Sequence, residues 1–302
     1  MKILCVCLSA TIQRTVQFDN FSLDSVNRTK IWREDASGKA LNVARVLNQI
    51  ESGTSIALCP IGNTNAEHFM VLASRDNDLY VHPIYINGNT RECWTILDTS
   101  KNSTTEVVPD EASDFLHIVG AEAELDLIEN TREYMENVDA LVFAGSRPVA
   151  WSANICARIC EVAHKANKII LADFRGSDLL NTLKSCTPAI IKINEEEFCQ
   201  TFAGLLLSEA ELKEAIIKKS QELKNIVIVT RGEKSTFAAD NGKFYEVPTE
   251  KITVLNGTAC GDAFSAGFLH EYLSSKNVES ALKKGTHCAA LNAQSLVPGS
   301  IL

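Results

Sequence analysis

The sequence predicts an α/β fold, with a mainly parallel sheet covered by helices on both faces and a small second β-sheet set apart from it. Three observations predict it. Short apolar runs alternate with amphipathic helical segments, the residues just after those runs are small or polar, and two stretches, about 12–32 and 89–108, break the rhythm with extended, alternating patterns. A chain of 302 residues is long enough for one large α/β unit, so 1–302 is read as a single domain.

The elements follow in order. Lys2–Leu8 reads as a strand, with Cys5 and Cys7 on one of its faces. Met1–Ala10 has the outline of a signal peptide, but the apolar run is short and reads better as a buried first strand bounded by small polar residues. A helix is expected over about Lys39–Gln49, a strand over Ser55–Cys59, a helix near Ala66–Arg75 and a strand near Tyr80–Ile84. Arg91–Asp98 and Thr104–Val108 are extended, and with the earlier irregular stretch they would pair as a separate sheet. Strands at Ala140–Phe143, Ile169–Asp173, Ala189–Ile193 and Ile226–Thr230 are then mostly separated by helices at Ala153–Lys165, Glu195–Phe202 and Ser208–Leu223. A helix begins near Cys260, and a final one surrounds Asn292.

Composition narrows the function. A formal charge of −9 argues against general binding to nucleic acid or anionic membranes, although a local cationic pocket can still hold a small anion. No apolar run approaches the roughly 20 residues that span a bilayer. The ten cysteines lack the paired spacing of zinc sites and read as reduced, buried thiols, which points to a cytoplasmic location.

Ligands of such sheets bind beyond the carboxyl ends of the strands, and the residues there are informative. Ala-Gly-Ser-Arg-Pro follows Phe143, Phe-Arg-Gly-Ser follows Asp173, Asn-Glu-Glu-Glu follows Ile193, and Thr-Arg-Gly-Glu-Lys-Ser follows Val229. The most pointed stretch is "NGTACGDAFSAGF", Asn256–Phe268. Small residues at Gly257, Ala259 and Gly261 let backbone N–H groups approach a phosphate, and the helix start adds its positive end. Asp262 in the first turn would stand beside that anion, placed to take the proton of an attacking hydroxyl. The helix dipole alone also favours an acid there. No Lys-Ser/Thr pair follows, so this is not a P-loop.

These motifs resemble the PfkB family of carbohydrate kinases, the ribokinase-like fold, over nearly the whole chain. "TACGDAFSAGF" is similar to the family's T-G-A-G-D-x-F-x-A-G-F, "SGKALNVARVL" at Ser37–Leu47 to G-G-K-G-x-N-x-A-x-x-L, "IKINEEEF" to I-K-P-N-x-x-E-L, and "TRGEKS" to S-L-G-x-x-G. "GSRP" and "NTRE" resemble the G-S-L-P and G-x-T-R segments of the branch that phosphorylates sugar phosphates.

The resemblance implies roles for particular residues. Asp262 is the catalytic base, with Gly261, Cys260 and Ala259 forming an anion hole for the transferred phosphoryl group. Lys192, Thr230 and Gly232 fall where the family holds nucleotide phosphates, and Asn292 lies on the helix expected near the adenine. Asn194 and Glu197 stand in the magnesium region and reach the ion through water; as a bare sequence feature they are also an acid-rich helix start. On the substrate side Gln13, Gly38 and Asn42 face the sugar, while Lys39, Arg91, Ser146 and Arg28 match positions that bind its existing phosphate. The irregular segments would form a lid, through which two copies of the chain would pair.

Departures from the pattern are local. Gln13 replaces an Asp, Ser37, Ala40, Ala259 and Ser235 replace glycines, and Arg147 replaces an apolar residue, adding a cation near the presumed pocket. The expected activity is transfer of a phosphoryl group from ATP, with Mg2+, to a ketohexose monophosphate such as fructose 1-phosphate, fructose 6-phosphate or tagatose 6-phosphate. The alternatives are a kinase for an unphosphorylated sugar or nucleoside and a non-catalytic nucleotide-binding relative.

Overall fold

A computed structural model describes residues 1–75, 79–109 and 120–302. The strands are β1 (Ile3–Val6), β2 (Thr11–Phe18), β3 (Ile31–Ser37), β4 (Ser55–Gly62), β5 (Tyr80–Ile86), β6 (Arg91–Asp98), β7 (Ser103–Val107), β8 (Ala140–Ala144), β9 (Ile169–Asp173), β10 (Ile190–Asn194), β11 (Ile226–Arg231), β12 (Lys234–Asp240) and β13 (Lys243–Val247). The helices are α1 (Lys39–Ile50), α2 (Ala66–Ala73), α3 (Ala121–Tyr134), α4 (Ile155–Lys165), α5 (Gly176–Thr182), α6 (Glu195–Phe198), α7 (Glu209–Leu223), α8 (Cys260–Ser275) and α9 (Val278–Asn292).

Nine strands form the large sheet, in the order β13-β12-β11-β10-β9-β8-β1-β4-β5. The seven strands from β11 to β5 are parallel, and β12 and β13 close one edge antiparallel. Strand β1 lies well inside the sheet, with Ile3 opposite both Ser55 and Ala140, so all four of its residues are buried. Its alternation divides the core. Ile3, Cys5 and Cys7 pack with Leu41 of α1, Phe268 of α8 and Leu282 of α9, while Leu4, Val6 and Leu8 pack with Leu127 of α3, Ile159 of α4 and Ile216 of α7. A period of two thus gives each sheet face its own helical layer. All ten cysteines are free thiols, nine of them buried.

The second sheet has the order β3-β2-β6-β7. Strand β2 is central to it, pairing antiparallel with β3 and parallel with β6, so that Gln13 stands opposite both Asp35 and Cys93. It takes in the two irregular stretches, but β3 runs on to Ser37, which carries the second sheet up to the start of α1.

Some local readings need correction. The helix expected over Glu195–Phe202 is one α-turn, α6, followed by a wider turn over Cys199–Ala203. Helices α3 and α5 and the β12-β13 hairpin add to the elements read from sequence; α3 buries Ala123, Leu127, Ile128 and Thr131 at helical spacing. Helix α7 starts as its sequence dictates, with Ser208 and Glu211 exchanging hydrogen bonds in a capping box. Among the described residues no helix is long and apolar enough to cross a membrane.

Candidate active site

The carboxyl ends of β1, β8, β9, β10 and β11 open into one cleft of about 430 Å³, which β2, β6 and β7 of the second sheet wall on the other side. Of the residues singled out from sequence, the cleft gathers Gln13, Gly38, Lys39, Asn42, Arg91, Ser146, Lys192, Asn194, Glu197, Thr230, Ala259, Cys260, Gly261 and Asp262. A second cleft of about 630 Å³ meets the first at Thr230, Gly257, Cys260 and Gly261, and Gly232 lines it.

The loop between these clefts is shaped by its own polar groups. Asn256 Oδ1 accepts the Thr258 N–H at 3.0 Å, and Asn292 Nδ2 donates to the Thr258 carbonyl at 2.8 Å. Ala259, the residue before α8, sits in the left-handed region at φ 65°, a conformation glycine adopts more readily. Cys260 and Gly261, the first residues of α8, line both clefts, while the Asp262 N–H donates to the Ala259 carbonyl at 3.0 Å. Gly261 cannot carry a side chain without displacing its neighbour, because a Cβ would lie 2.8 Å from Lys192 Nζ. Gly38 at φ 124° makes a comparable close approach, with a Cβ position 3.0 Å from the Ser9 carbonyl oxygen.

Asp262 is 5% exposed in the first turn of α8, and Asn42 Nδ2 donates to its Oδ2 at 2.8 Å. Burial pushes its pKa up to about 6, partly offset by Lys39, with Asp173 adding to the rise and Asn42 and Lys192 opposing it. At neutral pH it is therefore ionised, yet basic enough to accept a proton.

Beside it lies a residue the motifs did not single out. Asp173, the last residue of β9, is buried between two lysines, with Lys39 Nζ 3.3 Å from Oδ1 and Lys192 Nζ 2.9 Å from Oδ2. Burial opposes its charge, but the two cations hold its carboxyl below the usual range. Asp173 first, and then Asp262, raise the Lys39 pKa above the ordinary lysine value, so this ammonium stays charged at the cleft wall. An acid closing the otherwise apolar "IILAD" was the available signal.

On the nucleotide-like side, Asn194 and Glu197 form a reciprocal capping box: Glu197 N–H to Asn194 Oδ1 at 2.8 Å, Asn194 N–H to Glu197 Oε2 at 3.0 Å. Both remain open to the cleft. Helix α9 reaches the second cleft through Thr286, Ala289 and Ala290, and Ala293 just after it lines the cleft too. Asn292 itself does not line it. It is 1% exposed, and its amide joins Thr258 and, through Ser300 N–H at 3.1 Å, the chain end.

The substrate-like side also differs in detail from the sequence reading. Gln13 is buried, and Nε2 donates to Thr95 Oγ1 at 2.9 Å and to the Cys93 carbonyl at 3.4 Å. Arg147 is no pocket cation, since its guanidinium turns to Asp178 Oδ1 at 2.8 Å and the Trp151 carbonyl at 2.9 Å, bracing the loop that carries Ser146. Arg28 is exposed on the β2–β3 connection, outside the cleft lining. Glu106 of β7, which no sequence motif marks, lines the cleft and accepts a hydrogen bond from Thr258 Oγ1 at 3.0 Å, joining the second sheet to the loop before α8.

A helix start lining both clefts, with a buried carboxylate beside it, suits phosphoryl transfer to an alcohol. The chain belongs to the pfkB family of carbohydrate kinases, whose family model matches residues 2–300. Among solved structures it is similar to a phosphofructokinase-2 mutant from Escherichia coli, with TM-score 0.87 and 17% identity over 99% of this chain and 95% of that one. It is also similar to a possible 1-phosphofructokinase from Thermotoga maritima, with TM-score 0.86 and 18% identity over 99% and 93%. The tetrameric inhibited form of phosphofructokinase-2 from Escherichia coli matches with TM-score 0.84 and 17% identity over 97% and 94%. At these identities the likeness establishes a shared ribokinase-like fold.

Proposed function

We propose that this chain transfers the γ-phosphoryl group of ATP to a hydroxyl of a ketohexose monophosphate. The observation that carries the reading is that Asp262, buried and held by Asn42, shares one cleft with Lys39, Arg91 and Ser146. A base and an anion-binding set in one space suit a substrate that has both a free hydroxyl and a phosphate. The phosphofructokinase names of the similar structures agree with this substrate class.

In the proposed reaction Asp262 takes the hydroxyl proton as the oxygen attacks the γ-phosphorus, and the bond from that phosphorus to the bridging oxygen breaks, with ADP leaving. The N–H groups at the start of α8 receive the charge of the transferred phosphoryl group, and Lys39 and Lys192 add positive potential. ATP would extend from this loop along Thr230 and Gly232 into the second cleft, whose Ile252, Val254, Phe264 and Ala289 suit a flat apolar base. Asn194 and Glu197 offer oxygen donors, one of them a carboxylate, and would hold Mg2+ here, directly or through water. When bound, the ion would neutralise phosphate charge.

The second sheet acts as a lid in this reading, excluding water while the sugar is held. Its exposed Ile31 and Trp32 on β3 and Val107 on β7 offer apolar surface for a second copy of the chain. The test is ADP release with ATP and magnesium across ketohexose phosphates, free sugars and nucleosides, using wild type beside Asp262→Asn. Release with one sugar phosphate, lost in the variant, supports the reading. Release only with a free sugar or nucleoside replaces the substrate class, and ATP binding without release favours a non-catalytic relative.

A further inference from the structure

We propose that Ser37 is a positioning residue for the base, locking the Asn42 carboxamide so that its N–H group, and not its oxygen, faces Asp262. The inference rests on the reading of Asp262 as the base and adds a residue where the family pattern has a glycine, which could not supply the contact.

The chain of contacts is short and closed. Ser37 Oγ donates to Asn42 Oδ1 at 2.9 Å, Arg45 Nη1 donates to the same oxygen at 3.3 Å, and Asn42 Nδ2 donates to Asp262 Oδ2 at 2.8 Å. All four residues are buried, at 3%, 5%, 2% and 5% exposure in the order Ser37, Asn42, Arg45, Asp262. A primary amide has two faces of opposite polarity, and the wrong one would press a carbonyl oxygen against a carboxylate. Guanidinium groups only donate, so Arg45 already selects one orientation; it is itself fixed by the Ala36 carbonyl at 2.6 Å and the Pro298 carbonyl at 2.7 Å. The Ser37 hydroxyl supplies the shorter of the two contacts, from the last residue of β3, two residues before α1 begins.

Two consequences follow for Asp262. Oδ2 is held, which orients the carboxylate and leaves Oδ1 to receive a proton. The Asn42 N–H also stabilises the ionised form against burial, acting together with Lys39 of α1 and Lys192 of β10 and against Asp173 of β9. Without Ser37 the amide keeps only the longer contact from Arg45 and is held less firmly, the carboxylate loses part of that support, and the proton is held to higher pH.

The test is the pH profile of kcat/KM for the sugar substrate in wild type, Ser37→Ala, Ser37→Gly and Ser37→Thr, at saturating ATP. In the alanine and glycine variants the acid limb should move up by about 0.3–1 pH unit, with the loss larger at pH 6 than at pH 8 and the KM for ATP unchanged; threonine, which keeps the hydroxyl, should restore the wild-type limb. An acid limb that coincides with wild type in both truncations overturns the proposal. If no substrate supports turnover, the proposed function fails first, and the lock is read without activity. The pH dependence of the Tm difference between each Ser37 variant and its Asp262→Asn partner should then shift upward by the same interval, and an unshifted difference overturns the lock.

Discussion

Lys192 places Nζ 2.9 Å from Asp173 Oδ2, and both side chains are almost wholly shut off from solvent. Lys39 completes the arrangement from the cleft wall at 3.3 Å. Asp173→Asn leaves two neighbouring ammonium groups without their counter-charge and should destabilise the protein by about 3–5 kcal/mol. Adding Lys192→Met removes one orphaned charge, so the double variant should be less unstable than the sum of the single ones. Denaturant titration of the cycle checks this; strict additivity would show that the pair is not coupled.

Asp262→Asn should fold and bind ATP but lower turnover by roughly 10²–10⁴. Its stability carries a separate signature. The folded-state pKa of Asp262 is raised from 3.8 to about 6, so the native state binds the proton more tightly than the unfolded chain. Stability from this group is therefore present at low pH and is lost as pH rises from about 4 through 6. The Asn variant should accordingly gain Tm over wild type at pH 8 and lose that advantage near pH 4. A Tm difference that does not vary with pH would contradict the assignment.

Ala259→Gly should stabilise the loop before α8, since the residue already sits at φ 65°. Relief of about 1 kcal/mol, less the entropy glycine returns to the unfolded chain, should appear as a small rise in Tm. Gly261→Ala should do the opposite: its Cβ would displace Lys192 Nζ, 2.8 Å away, and weaken the pair with Asp173. Thermal melts of the two variants, run side by side, check the contrast.

Gln13→Asp, the change that restores the family residue, should not improve the enzyme by itself. Gln13 donates to Thr95 Oγ1 and to the Cys93 carbonyl. An aspartate would face that carbonyl with another acceptor in a buried place, at a cost of about 1–3 kcal/mol. A lower Tm with no fall in the sugar KM is the expected result, and a higher Tm would refute it.

The contrast between these residues shows what the sequence carries. The alternation of buried strands and helices was legible because each strand is short, apolar and followed by small or polar residues. Asp262, Lys39 and Asn42 were legible because they sit in motifs with fixed spacing. Asp173 was not, since it belongs to a buried strand and its partners come from α1 and β10, 134 and 19 residues away. Arg147 misled for a related reason: a long side chain turns toward whichever partner the fold supplies, here Asp178. The surroundings of Gln13 depend on Thr95, which the parallel pairing of β2 with β6 brings near.

Glu106 and Thr258 touch although 152 residues separate them, one on the second sheet and the other on the loop before α8. On the proposed function, two ligand regions that share this contact should not fill independently. If the sugar draws β7 away from Thr258 or presses it closer, the affinity for nucleotide changes by some factor, and nucleotide must change the affinity for sugar by the same factor. Calorimetric titration of each ligand with and without the other measures that factor from both directions. In Thr258→Val, which cannot donate to Glu106, it should move toward one.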